Sequence, residues 1–269
     1  MKILMLADVF FPDTIGGAGR VIYHLGLELS EKGHEVHIIT RNTDGKLPSH
    51  QQLNTNLFVH RFFSPQKTSL GLFFSEIKNS YFMAKQIARA IEFDIICIHQ
   101  SLVAIGPLLS GCFKNIPVVY YYHSPWHEEF LVKKQKSKAK AGKTEKAIAH
   151  IMRWMEKRIL LKADEVIVLS QYMLKKVSGI HNYPGKKIVE IPGGVDLNRF
   201  HLPDGGKAKA KRTNKLPQDK TIFLTVRNLV PRMGLENLIQ AFNQSETLRQ
   251  KGLLLIGGKG FLEKRLRTT

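Results

Sequence analysis

Two histidines follow directly after apolar runs of the kind that form buried strands. His123 comes after "VVYYY" and His99 comes after "DIICI". Open α/β sheets bind ligands at the carboxyl ends of their strands, so both side chains are predicted at that edge. A neutral imidazole there can accept a proton from a substrate hydroxyl or polarise it, which makes His123 the candidate catalytic residue. A histidine that caps its own loop is the alternative for His123. His99 fits packing as well as it fits ligand binding.

A glycine-containing loop lies near the start of the chain, in "DVFFPDTIGGAGR" at positions 8–20. Gly16 and Gly17 would let backbone N–H groups approach a phosphate at a helix N-terminus, so both are candidate phosphate-binding residues. Their G-G-x-G spacing differs from the G-x-G-x-x-G of nicotinamide-binding folds. A simple turn, in which the glycines only supply backbone freedom, is the alternative.

A second candidate phosphate site lies toward the end of the chain. Arg227 and Arg232 flank a loop in "TVRNLVPRMGLENLI", and two guanidinium groups beside a helix start are suited to a diphosphate. A solvated surface pair is the alternative. The final stretch, "LLLIGGKGFLEKRLRTT", is predicted as a strand, a glycine loop and the first turns of a helix. Loops of that shape commonly hold a phosphate.

The chain is strongly basic, with a formal net charge of +19 and a pI near 9.9. The densest cluster is "KKQKSKAKAGKTEK", from Lys133 to Lys146, followed by the amphipathic stretch "AIAHIMRWMEKRILL". A helix with such a cationic start can rest on anionic lipid, whereas a solvated loop is the alternative. The run has no interleaved aromatic residues, and no nucleic-acid partner is expected.

Short apolar runs and amphipathic segments alternate from the first residue onward, which predicts a doubly wound α/β domain. This first Rossmann-like domain is expected to span residues 1–201. The stretch 202–220, with two prolines, two adjacent glycines and several basic residues, is predicted as an exposed linker. The alternation restarts near Thr221, so residues 221–269 are expected to be part of a second α/β domain.

Composition excludes several classes of protein. Hydrophobic residues make up 43% and charged residues 23% of the 269, as in globular proteins. Asp8 interrupts the apolar N-terminus, so no secretory signal is predicted and a cytoplasmic location is expected, with peripheral contact at the inner face of the membrane as an option. The uncharged stretch Ile95 to Phe113 is predicted as a buried strand and helix, and Cys97 and Cys112 within it as reduced thiols.

Taken together and in this order, six segments resemble the family 4 retaining glycosyltransferases, which have the GT-B fold. They are "IGGAGRVIYHLGLELSEKGHEVHIIT", "YHSPWHEEF", "ADEVIVLSQYM", "IPGGVDLNRF", "VRNLVPRMGLENLIQAF" and "LLIGGKGFLEKRL". The resemblance implies two Rossmann-like domains, the first for an acceptor and the second mainly for a nucleotide-sugar. The partners it implies are a nucleotide-sugar donor and a glycan or lipid-linked acceptor.

The resemblance also implies roles for single residues, with His123 near the transferred sugar. The implied donor-binding residues are Gly16, Gly17, Arg227, Asn228, Arg232, Gly257, Gly258 and Gly260. The family usually has an arginine and a lysine in the loop after the first strand of its second domain, and those positions hold Asn228 and Met233 here. Because Arg227 and Arg232 adjoin them, phosphate binding is expected, with the side chain that performs it left open.

No metal or other cofactor is expected, because guanidinium groups and helix ends can stabilise the departing diphosphate. Retention in this family is thought to proceed on one face of the sugar, with the leaving phosphate helping to deprotonate the acceptor. The family also has an acidic element beyond the final glycine loop. The sequence ends before that element, so the chain is expected to be truncated within its donor domain and weakly active or inactive alone.

Three alternatives remain open from the sequence. The chain could be an inactive fragment, or a non-catalytic basic module that binds membranes through its lysine run. A nicotinamide-dependent oxidoreductase is the third, and the absence of G-x-G-x-x-G argues against it.

Overall fold

The computed structural model describes residues 1–14, 16–64, 70–135 and 142–268. The chain divides into two compact units, unit 1 at residues 1–193 and unit 2 at residues 194–269. This division precedes the boundary at residue 201 that the sequence analysis placed between the first domain and the linker.

In the part of unit 1 that the structure describes, eight strands form a single sheet. Their bounds are β1 (Lys2–Leu6), β2 (Glu35–Asn42), β3 (His50–Asn54), β4 (Leu57–Phe63), β5 (Ile95–Ile98), β6 (Val118–Tyr121), β7 (Glu165–Val168) and β8 (Ile188–Glu190). Their order in the sheet is β3-β4-β2-β1-β5-β6-β7-β8. Of these eight described strands, only β3 runs antiparallel to its neighbour. The α/β class predicted from the alternation of apolar runs is confirmed.

The chain leaves β1 toward β2 on one side and later returns to β5 on the other side. Such a change of direction is the topological switch point of a doubly wound sheet. Ligands bind there, outside the carboxyl ends of the two central strands. In unit 1 these ends are Leu6 of β1 and Ile98 of β5, which pair directly in register.

Among the described residues of unit 1, six α-helices connect the strands. They are α1 (Gly17–Glu31), α2 (Leu70–Ala88), α3 (Ser101–Leu109), α4 (Trp126–Gln135), α5 (Lys143–Leu160) and α6 (Gln171–His181). Because crossovers between parallel strands are right-handed, α1 covers one face of the sheet and α2, α3, α5 and α6 cover the other. On that second face α3 packs against both α2 and α5.

The central strands β1, β2 and β5 are buried over most of their length, which explains why their sequences are apolar runs. The stretch Ile95 to Phe113 forms β5 and the buried helix α3, as predicted. Within it Cys97 is buried and Cys112 is half-buried, and both are free thiols. In the described part of the chain, no helix has the length and apolar character to cross a membrane.

Unit 2 contains a parallel pair of strands, β9 (Thr221–Val226) and β10 (Gly252–Gly257), in one sheet. Its helices are α7 (Gly206–Thr213), α8 (Leu235–Gln244), α9 (Glu246–Lys251) and α10 (Glu263–Leu266). Helix α7 lies inside the stretch 202–220, so part of the predicted linker is helical. The core of unit 2 consists of Leu229, Leu235 and Leu262 with partly buried neighbours.

Candidate active site

The loop after β1 is attached to the helix that follows β5. The backbone N–H of Asp8 donates to Oε1 of Gln100 at 2.8 Å, and Oδ1 of Asp8 accepts from the backbone N–H of Val103 at 2.9 Å. Val103 lies in the first turn of α3, where backbone N–H groups have no partner within the helix. Asp8 therefore caps α3 from a distance and holds the two central loops of the switch point together.

A buried ion pair fixes the same loop from its other side. Nε of Arg61 donates to Oδ2 of Asp13 at 2.6 Å, and Nη2 donates to Oδ1 at 3.1 Å. Both side chains are buried, and Arg61 belongs to β4. A bidentate pair of this kind fixes orientation as well as distance. Sequence analysis missed this pair, because the partners are far apart in the chain.

Gly16 and Gly17 lie where this loop enters α1. A Cβ built on either glycine would meet no atom within 4 Å, so the space beside them is open. Among the described residues, α1 has neither a capping side chain nor an acidic residue in its first turn. Free N–H groups and the helix dipole make such an end suited to an anion. By contrast, a Cβ at Gly19 would lie 3.2 Å from the backbone N of Phe11, so the loop packs closely there.

His99 and His123 are in direct contact at the carboxyl edge of the sheet. Nδ1 of His99 lies 3.2 Å from Nε2 of His123. The His99 ring also stacks on Tyr121, with ring centroids 4.6 Å apart. His99 is buried and its Nε2 has no partner among the described residues, whereas His123 is half-buried. His99 is therefore placed to orient His123, the more accessible of the two.

Both imidazoles favour the neutral form. Burial lowers the pKa of His99 well below its ordinary value, and the nearby His123 lowers it further. Burial also lowers the pKa of His123, against an opposing effect of Glu129. Two neutral rings can share one hydrogen bond, with one nitrogen donating and the other accepting. A neutral His123 can then exchange a proton or a hydrogen bond with a hydroxyl group.

Glu156 of α5 forms a second buried polar cluster that the sequence analysis did not find. Its carboxylate accepts from Nε2 of His181 at 2.9 Å, from the Tyr122 hydroxyl at 3.3 Å and from the Trp126 backbone N–H at 3.1 Å. Nδ1 of His127 lies 3.8 Å away. Burial acts to raise the pKa of Glu156, but the neighbouring imidazoles of His127 and His181 outweigh it and lower that pKa.

This cluster fixes the segment that carries His123. Tyr122 precedes His123 and Trp126 follows it, and both are bonded to the same carboxylate. One signal in the sequence could have revealed Glu156. It occupies the apolar side of α5, in helical spacing with the buried residues Met152 and Ile159. An acidic residue in such a position requires partners, because a buried charge without them is costly.

In unit 2 the structure brings together the loops that follow β9 and β10. The Arg227 backbone N–H donates to the Gly257 carbonyl at 3.0 Å, and the Leu229 N–H donates to the Lys259 carbonyl at 2.9 Å. A Cβ at Gly258 would lie 1.9 Å from the Arg227 carbonyl oxygen, and one at Gly260 would lie 2.3 Å from that of Leu229. Only glycine permits so close an approach.

The side chains of Arg227 and Asn228 are exposed beside this pair of loops. Arg232 lies in a short turn at Pro231–Met233 before α8, and its side chain is outside the described part. Of the lysine run from Lys133 to Lys146, residues 136–141 are outside the described part. Within the described ranges, no group of three or more His, Cys, Asp or Glu residues is arranged to hold a metal ion.

Comparison with known proteins shows that most of the chain matches one protein family. Residues 15–199 match the sequence model of Glycosyltransferase Family 4. A glycogen synthase of Mycobacterium tuberculosis is 22% identical over 275 aligned positions, which cover 97% of this chain and 62% of that protein. The chain thus spans less than two thirds of the length of this relative.

Two solved structures show the same fold. Sucrose-phosphate synthase from Thermosynechococcus elongatus superposes with a TM-score of 0.73 at 22% identity, covering 99% of this chain and 65% of that one. Anabaena HepE, in complex with UDP and glucose, superposes with a TM-score of 0.59 at 17% identity, covering 100% of this chain and 64% of that one. The GT-B type predicted from the sequence is confirmed.

Proposed function

The chain belongs to glycosyltransferase family 4, and from this premise we propose that the protein transfers a sugar from a nucleotide-sugar donor to a glycan or lipid-linked acceptor, with retention of configuration. One observation carries the proposal for this chain's own residues. The neutral His99–His123 pair lies at the carboxyl edge of the sheet in unit 1. His99 follows β5, which borders the switch point, and His123 follows its neighbour β6. Ligands of open sheets gather at that edge.

We assign different tasks to the two units. Unit 1 would bind the acceptor near His99 and His123, and the N-terminus of α1 at Gly16 and Gly17 would contact donor phosphates. Unit 2 would bind the nucleotide through the loops after β9 and β10. The exposed guanidinium group of Arg227 suits a diphosphate there. The complex of Anabaena HepE with UDP and glucose supports a nucleotide donor of this kind.

The proposed chemistry needs no metal. Charge builds on the leaving diphosphate as the bond from the anomeric carbon to the phosphate oxygen breaks. Helix N-termini and guanidinium groups would stabilise that charge. The acceptor oxygen would form its bond on the same face of the sugar, and the leaving phosphate would take the acceptor's proton. A neutral His123 would hold the sugar by a hydrogen bond.

The test begins with binding and then measures transfer. Calorimetric titration with UDP, GDP and ADP is expected to show binding of at least one of them, unchanged by EDTA. Release of that nucleoside diphosphate from its glucose and mannose esters then measures turnover. His123→Ala removes the hydrogen bond to the sugar and is expected to lower turnover about a hundredfold, with little change in nucleotide affinity. The exposed His24 on α1 offers the matched control, His24→Ala, which should leave turnover intact.

The alternatives predict other results. An inactive fragment would bind nucleotide without releasing product, and a basic module without a donor site would bind none of the three nucleotides. The anomeric proton signals of the product, followed by NMR, distinguish retention from inversion. An inverted product would refute the proposed stereochemistry while leaving the transferase activity in place.

A further inference from the structure

The outward side of helix α5 exposes apolar side chains that the fold of unit 1 does not bury. Ile151, Trp154 and Leu161 point away from the core, and Trp154 is 52% exposed. They are spaced three and seven residues apart, so they form one stripe along the helix. A surface helix normally turns polar residues outward, so large exposed apolar side chains aligned along one side of it indicate a binding surface.

Cationic side chains surround this stripe. The exposed ones of α5 and its C-terminal end are Lys143, Lys146, Arg153, Lys157, Arg158 and Lys162. The guanidinium group of Arg158 lies 5.1 Å from the centre of the Trp154 ring. Both acidic residues of α5 are withdrawn from this side, since Glu145 is half-buried and Glu156 is buried. The outward side of α5 is therefore both apolar and positively charged.

Helix α2, on the same face of the sheet, has a similar outward side. Phe74 is 65% exposed, Phe82 is also exposed, and Nζ of Lys78 lies 5.9 Å from the Phe82 ring centre. The acidic residue of α2, Glu76, is buried and pairs with Arg41. Because α3 packs between α2 and α5, the two outward sides belong to one helical layer. We call them together the aromatic-cationic face, formed by Phe74, Phe82, Ile151, Trp154, Arg158 and Leu161.

We propose that the aromatic-cationic face docks the protein on an anionic lipid bilayer. Aromatic and aliphatic side chains enter the boundary between headgroups and acyl chains, while arginine and lysine contact the phosphates. The charge complementarity favours this occupant over a second copy of the chain, whose equal positive charge would repel it. It also favours lipid over nucleic acid, because Ile151 and Leu161 have apolar side chains that cannot stack on bases. This docking does not depend on the proposed transferase activity.

The main test measures binding to vesicles by flotation. The protein is expected to float with vesicles of equal parts phosphatidylcholine and phosphatidylglycerol, and not with phosphatidylcholine alone. Arg158→Glu is expected to weaken binding about fivefold for the lost charge and about fivefold again for the added one. Trp154→Ala should also weaken binding and should leave the thermal unfolding temperature nearly unchanged, because alanine favours an exposed helix.

Arg199 and Phe200 provide a matched control in unit 2. Phe200 is 62% exposed, and the guanidinium group of Arg199 lies 5.5 Å from its ring centre. Arg199→Glu and Phe200→Ala therefore make the same chemical changes outside the aromatic-cationic face. Both are expected to leave vesicle binding within twofold of the unchanged protein. Equal losses from the two sets would show that only overall charge matters, and would overturn the proposal.

Fluorescence locates the contact independently. The chain has two tryptophans, and Trp126 is half-buried in a stack on Phe73. In a Trp126→Phe variant, Trp154 is the single probe, and anionic vesicles are expected to shift its emission to shorter wavelength. No shift, or no binding to anionic vesicles at low salt, would refute the docking. Binding to single-stranded DNA that Trp154→Ala abolishes, without binding to vesicles, would assign the surface to nucleic acid instead.

Discussion

Three histidines on neighbouring strands form a hydrogen-bonded chain away from the candidate site. Both ring nitrogens of His60 face other imidazoles, with Nε2 2.9 Å from Nδ1 of His37 and Nδ1 2.8 Å from Nδ1 of His50. Glu35 accepts from the outer nitrogen of His37 at 2.9 Å. Burial, and then the neighbouring His37 and His50, lower the pKa of His60 from 6.5 to about 4. The folded state therefore disfavours a proton on His60.

This arrangement predicts a dependence of stability on pH. Between pH 6.5 and about 4, His60 is protonated in the unfolded chain but stays neutral in the folded protein. The free energy of unfolding therefore falls as the pH falls. Above pH 6.5 the contribution is constant. The limit for one proton is about 1.4 kcal/mol per pH unit, and the partly exposed ring should give about half of that. His60→Gln is expected to flatten the profile in this window.

Urea unfolding at a series of pH values, followed by tryptophan fluorescence, measures the profile for unit 1, because both tryptophans lie there. The exposed His24 provides the control His24→Gln, which should leave the slope unchanged. Some slope remains in His60→Gln, since burial also lowers the pKa of His37 and of His99. Parallel profiles for His60→Gln and the unchanged protein would contradict the prediction.

At the residue scale, the success of sequence reasoning depended on strand order. His99 and His123 each follow a strand, and β5 and β6 proved to be neighbours, so the two rings meet. The pair of Asp13 with Arg61 could not be predicted in the same way. It requires knowing that the loop after β1 turns back toward β4, which no local pattern of residues encodes. Sequence reasoning thus found residues at the sheet edge but not those that hold them.

At the element scale, two glycines determine how the loops of unit 2 meet. Gly258 has φ +138°, and its position leaves 1.9 Å between a Cβ and the Arg227 carbonyl oxygen. Gly258→Ala must therefore push the loop after β10 away from the loop after β9. We expect a loss of at least about 2 kcal/mol in the free energy of opening of unit 2, from backbone strain and steric overlap together.

The neighbouring glycine supplies a matched control. A Cβ at Gly257 would lie 3.4 Å from Cγ2 of Val226, an ordinary contact, and its φ is not positive. Gly257→Ala should change the same free energy by less than about 1 kcal/mol. Amide hydrogen exchange in β9 and β10 measures both variants. If the two substitutions have equal effects, the close approach at Gly258 does not determine how these loops pack.

The elements themselves followed from periodicity where burial was strong. Strands β5 and β6 match the predicted apolar patterns because they lie inside the sheet. Helix α5 matches because one of its sides is buried. Helix α7 differs, since it lies in a stretch predicted as linker and has no buried residue. Without a buried side there is no apolar period to recognise, and the prolines and glycines around it favoured a loop.

At the scale of the whole molecule, the net charge of +19 predicted a basic surface without saying which face carries it. The described part of the lysine run leads into α5, whose acidic residues turn inward. The position of the basic surface therefore depends on how α5 is rotated about its axis. The buried residues Met152, Glu156 and Ile159 fix that rotation by packing on unit 1. Composition alone predicted the positive charge, whereas tertiary packing determines that the outward side of α5 carries part of it.

The two units differ in how much apolar surface they bury, and this should make their stabilities unequal. In the described residues, unit 1 has an eight-stranded sheet with a large buried core on both faces, whereas unit 2 has one pair of strands and a core of three buried leucines. Leu224 and Val226 of β9 are exposed. Two strands alone are marginally stable in water, and apolar burial is the main favourable term in folding. Unit 2 should therefore open at a lower cost in free energy than unit 1.

Hydrogen exchange can compare two strand pairs with the same parallel geometry, β9–β10 in unit 2 and β1–β5 in unit 1. We expect amides of β9 and β10 to exchange at least about a hundredfold faster, which corresponds to a difference of about 3 kcal/mol in opening free energy. Comparing only the amides that donate across each pair holds the parallel ladder geometry constant. The remaining differences are burial and the further strands β2 and β6 that flank β1 and β5. Equal protection of both pairs would mean that unit 2 gains stability from contacts outside its own core, and would contradict the argument from burial.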